Sequence, residues 1–109
     1  MFRRIEELDP ADAARRLRES EDIVLLDCRE PEELAIARIE GAVHIPMGDI
    51  PLRMTELDPD RQIIVFCHRG KRSYSVASYL RKMDFEKVYN LRGGIDAWSR
   101  EVDPTVPRY

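Results

Sequence analysis

The sequence predicts an α/β domain of three layers, α/β/α, built on a five-stranded parallel sheet. Three observations carry that prediction. The runs "IVLLD" (23–27) and "IIVFC" (63–67) are continuously apolar and rich in β-branched residues, as strands are when helices cover both faces of a parallel sheet. Segments with helical periodicity alternate with the strand-like runs, and the connections between them are short. The 109 residues are the size of one folding unit, and no repeat, low-complexity stretch or long linker divides them, so residues 1–109 read as a single domain.

Each element has a local reason. "RRIEEL" (3–8) reads as a weaker edge strand. "DPADAARRLRES" (9–20) opens with Asp9 as N-cap and Pro10 at the first helical position, and Ala13, Ala14 and Leu17 share one face of the helix. "AVHI" (42–45), between Gly41 and Pro46, and "KVYNL" (87–91), ahead of Gly93, are short strands beside the two central ones. "RSYSVASYLRKM" (72–83) places Val76, Ala77, Leu80 and Met83 at helical spacing, and "GGIDAWSRE" (93–101) gives a short last helix. The segment "VDPTVPRY" (102–109), with two prolines, reads as irregular chain.

Composition narrows the function classes. A net charge of -3 and a pI near 5.4 argue against attraction of the whole chain to nucleic acid or an anionic membrane, so any anion site is local. With 36% charged residues and only short apolar runs, no segment reads as a membrane span. The start "MFRRIEELDP" is charged where a signal peptide is apolar, and the expectation is a cytoplasmic protein. Two cysteines, Cys28 and Cys67, are too few for a disulfide framework and lack metal-ligand spacing.

Chemistry concentrates at "IIVFCHRGKRS" (63–73). In an open parallel sheet the ligand sites lie at the carboxyl ends of the strands, and both cysteines end central strands. After Cys67 the loop "HRGKR" runs directly into a helix whose N-terminus points back at the sulfur. Free amides, the positive end of the helix and the nearby Arg69, Lys71 and Arg72 all favour a thiolate, the reactive form. Gly70 suits a backbone that curls through positive φ so that successive amides converge on one point.

These residues resemble the rhodanese family. "CHRGKRS" is similar to its Cys-x-x-Gly-x-Arg-Ser loop, and "LLDCREPEE" to its Asp-x-Arg-x-x-x-Glu segment through Asp27, Arg29 and Glu33. "EGAVHIP" (40–46) resembles its Gly-Ala-x-x-Ile-Pro segment and "LRGGIDAW" (91–98) its Gly-Gly-x-x-x-Trp ending, so the likeness covers nearly the whole chain in the family's order. Two departures stand out: Ala37-Arg38-Ile39 replaces the usual Gly-His-Ile, and Asp84 stands where glycine is common. Asp tolerates the left-handed region well enough to keep that turn.

The resemblance implies a sulfurtransferase that holds a sulfane sulfur on Cys67 as a persulfide. Such a cycle takes sulfur from thiosulfate or another small donor and gives it to a thiol or cyanide, with no metal or organic cofactor. Arg72 is the first choice for the donor's oxyanion, with Arg69 and Lys71 at the entrance and the amides of His68, Gly70 and Ser73 among those cradling the sulfur. His68 admits two readings, a base or charge partner for Cys67 and a solvent-facing side chain, the second preferred. Asp27, Arg29 and Glu33 read either as a network bracing the site or as a purely structural pairing, again the second preferred. Gly93, Gly94 and Trp98 read as close packing and a core anchor. Cys28, on the neighbouring strand, suggests a resolving thiol, against the simpler reading of a half-buried residue wrongly aimed.

Two alternatives remain at this level. One is a persulfide carrier in a protein sulfur relay, where a partner protein is donor or acceptor. The other is a cysteine-based phosphatase or arsenate reductase on the same scaffold. Its Cys-x-x-x-x-x-Arg spacing would need an arginine at 73, where the chain has Ser73.

Overall fold

The two apolar runs form the centre of the sheet. The computed structural model describes residues 4–109. Its five strands, β1 (Glu7–Leu8), β2 (Val24–Asp27), β3 (Val43–His44), β4 (Ile63–Phe66) and β5 (Val88–Leu91), pair in the order β1-β5-β4-β2-β3. Every pairing is parallel, with Asp27 opposite Phe66 and Val65 opposite Asn90. Arg3, the first residue of the expected edge strand, lies outside the described residues, and the strand itself is confined to Glu7–Leu8.

Helices α1 (Pro10–Glu19), α2 (Pro31–Leu34), α3 (Ile50–Arg53) and α4 (Lys71–Lys82) connect the strands, α5 (Gly94–Glu101) follows β5, and 3-10 turns lie at Met47–Asp49 and Met54–Glu56. The pleat sends alternate residues of β4 to opposite faces. Ile63 and Val65 join Leu26, Val88 and the α4 residues Val76, Ala77 and Leu80 in one core layer. Ile64 and Phe66 join Leu25, Leu91, Ala13, Ala14 and the α5 residues Ile95 and Trp98 in the other. The three-layer prediction therefore holds, as does Trp98 as a core anchor. Among the described residues no helix is long and apolar enough to cross a membrane.

Three details depart from the sequence reading. Met83 is not part of the α4 core face: it caps the helix and is 41% exposed. Asp9 is the N-cap of α1 but makes no side-chain cap bond, because its carboxylate pairs with Arg92 instead. Segment 102–109 is irregular, as read, yet it packs closely. Val106 is buried in the α5 layer, and its carbonyl accepts a hydrogen bond from the Ser99 hydroxyl at 2.6 Å. Asp84 does adopt φ +70°, so the turn after α4 keeps its left-handed residue without glycine.

Candidate active site

After β2 the chain moves outward to β3, and it returns on the far side of β2 as β4; the sheet thus reverses direction between its two central strands. Clefts form at such a reversal. Cys28 and Cys67 follow the last residues of these strands, and the Cys28 amide donates to the Phe66 carbonyl at 3.1 Å.

Cys67 is 1% exposed, and its Sγ is surrounded by donors. The Gly70 amide lies at 3.1 Å, the Ser73 amide at 3.4 Å and the Ser73 hydroxyl at 3.3 Å. Gly70, at φ +103°, turns the loop so that its amide faces the sulfur, and Ser73 stands in the first turn of α4. The loop carbonyls face the other way. Cys67 and His68 carbonyls accept from the Ile95 and Asp96 amides of α5 at 2.9 and 3.1 Å, and the Gly70 carbonyl accepts from Asn90 Nδ2 at 3.0 Å. An ideal Cβ on Gly94 would stand 2.5 Å from both the Cys67 and His68 carbonyl oxygens, so α5 approaches this closely only with glycine there.

Electrostatics follow from that cradle. Burial raises the Cys67 thiol, but the Ser73 hydroxyl and the amides of Ser73, Gly70 and Arg69 outweigh it, and the net shift is downward. The neighbouring thiol behaves oppositely. Burial first, then the charges of Cys67 and Asp27, push Cys28 up to about 12. Cys28 is fully buried rather than half-buried, and its Sγ donates to the Phe66 carbonyl at 3.4 Å. Buried, protonated and already bonded, it is a poor nucleophile and does not suit a resolving role.

The predicted site residues fall into two groups. Of His68, Arg69, Gly70, Lys71, Arg72 and Ser73, Gly70 and Ser73 bond the sulfur, and the partners of the other side chains differ from expectation. Arg72 does not present an open fork: its two terminal nitrogens grip Glu33 at 2.6 and 3.0 Å. The pairing holds the Glu33 carboxyl down at about 2, against the raising effect of its own burial. His68 does not face solvent freely; its ring stacks on Tyr109 at 3.9 Å and 7°, with Nε2 2.8 Å from the Tyr109 backbone oxygen. Arg69 and Lys71 are exposed, with no ion pair among the described residues.

Asp27, Arg29 and Glu33, read as one group, are divided between two tasks. Arg29 is fully buried and pairs with Asp27 through Nε at 3.0 Å and a terminal nitrogen at 2.7 Å. It also donates to the Ala37 carbonyl and the Tyr109 hydroxyl, at 2.8 and 2.9 Å. Glu33 instead reaches forward to Arg72. Sequence reasoning missed Tyr109 and Asn90. Asn90 had a signal, a polar residue inside an apolar strand; Tyr109, in a segment with no periodicity, had none. Arg38, in place of the usual histidine, is exposed on the α2–β3 connection. Among the described residues no three His, Cys, Asp or Glu side chains gather as metal ligands would.

Removing the Ser73 hydroxyl tests the electrostatics. Ser73→Ala deletes a donor to the sulfur, so the thiol rises and less thiolate remains at neutral pH. Alkylation by iodoacetamide, which needs thiolate, should be about three- to tenfold slower at pH 7, with the rate profile moved to higher pH. An unmoved profile would mean that the hydroxyl does not stabilise the charged sulfur.

A parallel doubly wound sheet with a donor-ringed cysteine at its central reversal defines a class of α/β domain built around one buried, hydrogen-bonded sulfur. The chain belongs to the rhodanese-like domain family, whose model matches residues 9–101. It is 41% identical to a sulfurtransferase of Allochromatium vinosum over 102 residues, covering 94% of this chain and 95% of that one. The fold superposes on a rhodanese-related protein from Thermoplasma volcanium with a TM-score of 0.83 and 26% identity, covering 95% of this chain and 99% of the other. It also resembles part of an NAD-dependent persulfide reductase from A. fulgidus, with a TM-score of 0.68 and 34% identity, covering 86% of this chain and 16% of that one. Sulfur transfer is the chemistry these relatives support.

Proposed function

We propose that the protein is a sulfurtransferase that carries a sulfane sulfur on Cys67, with thiosulfate or a related small species as donor. One observation carries the reading: a buried sulfur ringed by two amides and a hydroxyl, an arrangement that stabilises sulfur as an anion and has no use for a structural cysteine. The Cys67 thiolate attacks the outer sulfur of thiosulfate. The S–S bond of the donor breaks, sulfite leaves with the bonding pair, and a Cys67 persulfide remains. Cyanide or a thiolate then attacks the outer sulfur, and the Cys67 thiolate leaves, which restores the starting charge and forms thiocyanate or an acceptor persulfide. The cradle amides hold the anionic sulfur in both halves of the cycle.

Intact mass after brief thiosulfate treatment tests this directly. The expected result is one added sulfur atom in the native protein, none in Cys67→Ser, and its loss on adding cyanide. No added mass with thiosulfate or glutathione persulfide would remove the small-donor reading. One feature favours a second reading, delivery between proteins: Glu33 already occupies Arg72, while Arg69 and Lys71 lie exposed and, among the described residues, without an ion pair, where a protein partner would meet them. Faster loading from a persulfidated protein than from thiosulfate would select it.

A further inference from the structure

The contact between Tyr109 and Glu33 joins residues 76 apart in the chain and has no place in the cycle above. The Tyr109 hydroxyl donates to Glu33 Oε2 at 2.7 Å and accepts from Arg29 at 2.9 Å. Its ring lies flat on His68, and its backbone oxygen meets the same imidazole. The segment that brings it there is fastened twice, by Ser99 to the Val106 carbonyl and by Arg108 to Asp96 at 3.0 Å. Glu33 is thus held from two sides. Its Oε1 also accepts from the Glu30 amide, and both oxygens face the guanidinium of Arg72.

A carboxylate gripped by both terminal nitrogens of an arginine is chemically what an oxyanion donor would be in the same place. Glu33 is therefore an internal anion seated in the fork, and an incoming dianion meets its charge as well as losing the fork. Since the Glu33 carboxyl is held down at about 2, it stays ionised across the neutral range and acid does not open the contact there.

Building on the sulfurtransferase reading, we propose that Tyr109 is a positioning residue that latches Glu33 onto Arg72 and so weakens the binding of small dianionic donors. The hydroxyl carries the effect, because it couples the buried Arg29–Asp27 pair to the mouth of the site. Without it Glu33 loses one fixed donor and yields the fork more readily. The geometry sets a direction opposite to that of a structural defect: breaking the latch improves donor binding.

Two variants test the latch. Tyr109→Phe removes only the hydroxyl; Glu33→Gln keeps the shape and the acceptor for Glu30 but removes the internal charge. The expected result is a KM for thiosulfate lower by about three- to tenfold in Tyr109→Phe, and lower still in Glu33→Gln. A second measurement needs no turnover: protection of Cys67 from iodoacetamide by sulfate, an inert dianion, should appear at correspondingly lower sulfate in both variants. Unchanged or weaker sulfate protection in both folded variants, with unchanged or raised KM, would overturn the latch. Stronger sulfate protection without any persulfide from thiosulfate would support it while removing the sulfurtransferase reading on which its purpose rests.

Discussion

Replacing Gly94 by alanine is expected to dismantle the sulfur cradle. The new methyl would meet the Cys67 and His68 carbonyl oxygens at 2.5 Å, and Gly94 sits at φ +60°, where a side chain is strained. Those carbonyls cannot retreat without breaking their bonds to the Ile95 and Asp96 amides. The loop must tilt, and the amides on its inner side tilt with it. We expect a loss of about 2–4 kcal/mol in denaturant melts, and sulfur loading of Cys67 slower by about a hundredfold, the usual cost of a displacement near 1 Å. Near-native stability together with near-native loading would show that α5 does not set the loop.

The second large effect lies behind the site. Arg29→Met should destabilise the protein by about 3–5 kcal/mol, because it leaves Asp27 buried without its ionic partner. The native guanidinium spends its donors on Asp27, Ala37 and Tyr109, which ties β2, the chain entering β3 and segment 102–109 together. Adding Asp27→Asn should recover part of the loss, since the unpaired charge is then gone. If the single variant melts like the native protein, the pair is not holding these segments. If the double variant is no better than the single one, the cost belongs to lost hydrogen bonds and packing rather than to the stranded carboxylate.

What the sequence disclosed and what it hid divide along contact distance. The Cys67 loop was readable because its logic is local: a strand end, a glycine at the turn and a helix start fall within the seven residues 67–73. Continuous apolar character identified β2 and β4 for an equally simple reason, burial on both faces. The partner of Arg72 was not readable, because Glu33 lies 39 residues earlier and only the reversal between β2 and β4 brings them together. Tyr109 was further still, 80 residues from Arg29 and in a stretch without periodicity. The resemblance grouped Asp27, Arg29 and Glu33 by spacing, whereas the fold turns the first two inward and the third toward the loop. The short turns of α2, α3 and residues 47–56 left no mark beyond their prolines, since a single helical turn has too few positions to show a period.

The depth of Cys67 bears on what a partner molecule can reach. At 1% exposure Cys67 offers almost no surface to collide with, so a bulky thiol or another protein meets little of the sulfur itself. A sulfur–sulfur bond spans about 2 Å, so a sulfur taken up in the cycle proposed above would extend the side chain by that length. A loaded cysteine is then longer than an empty one by about the radius of an atom's contact surface. Visitors too large to touch the resting protein could collect the cargo, and the cleft would sort its callers by when they arrive as much as by what they are.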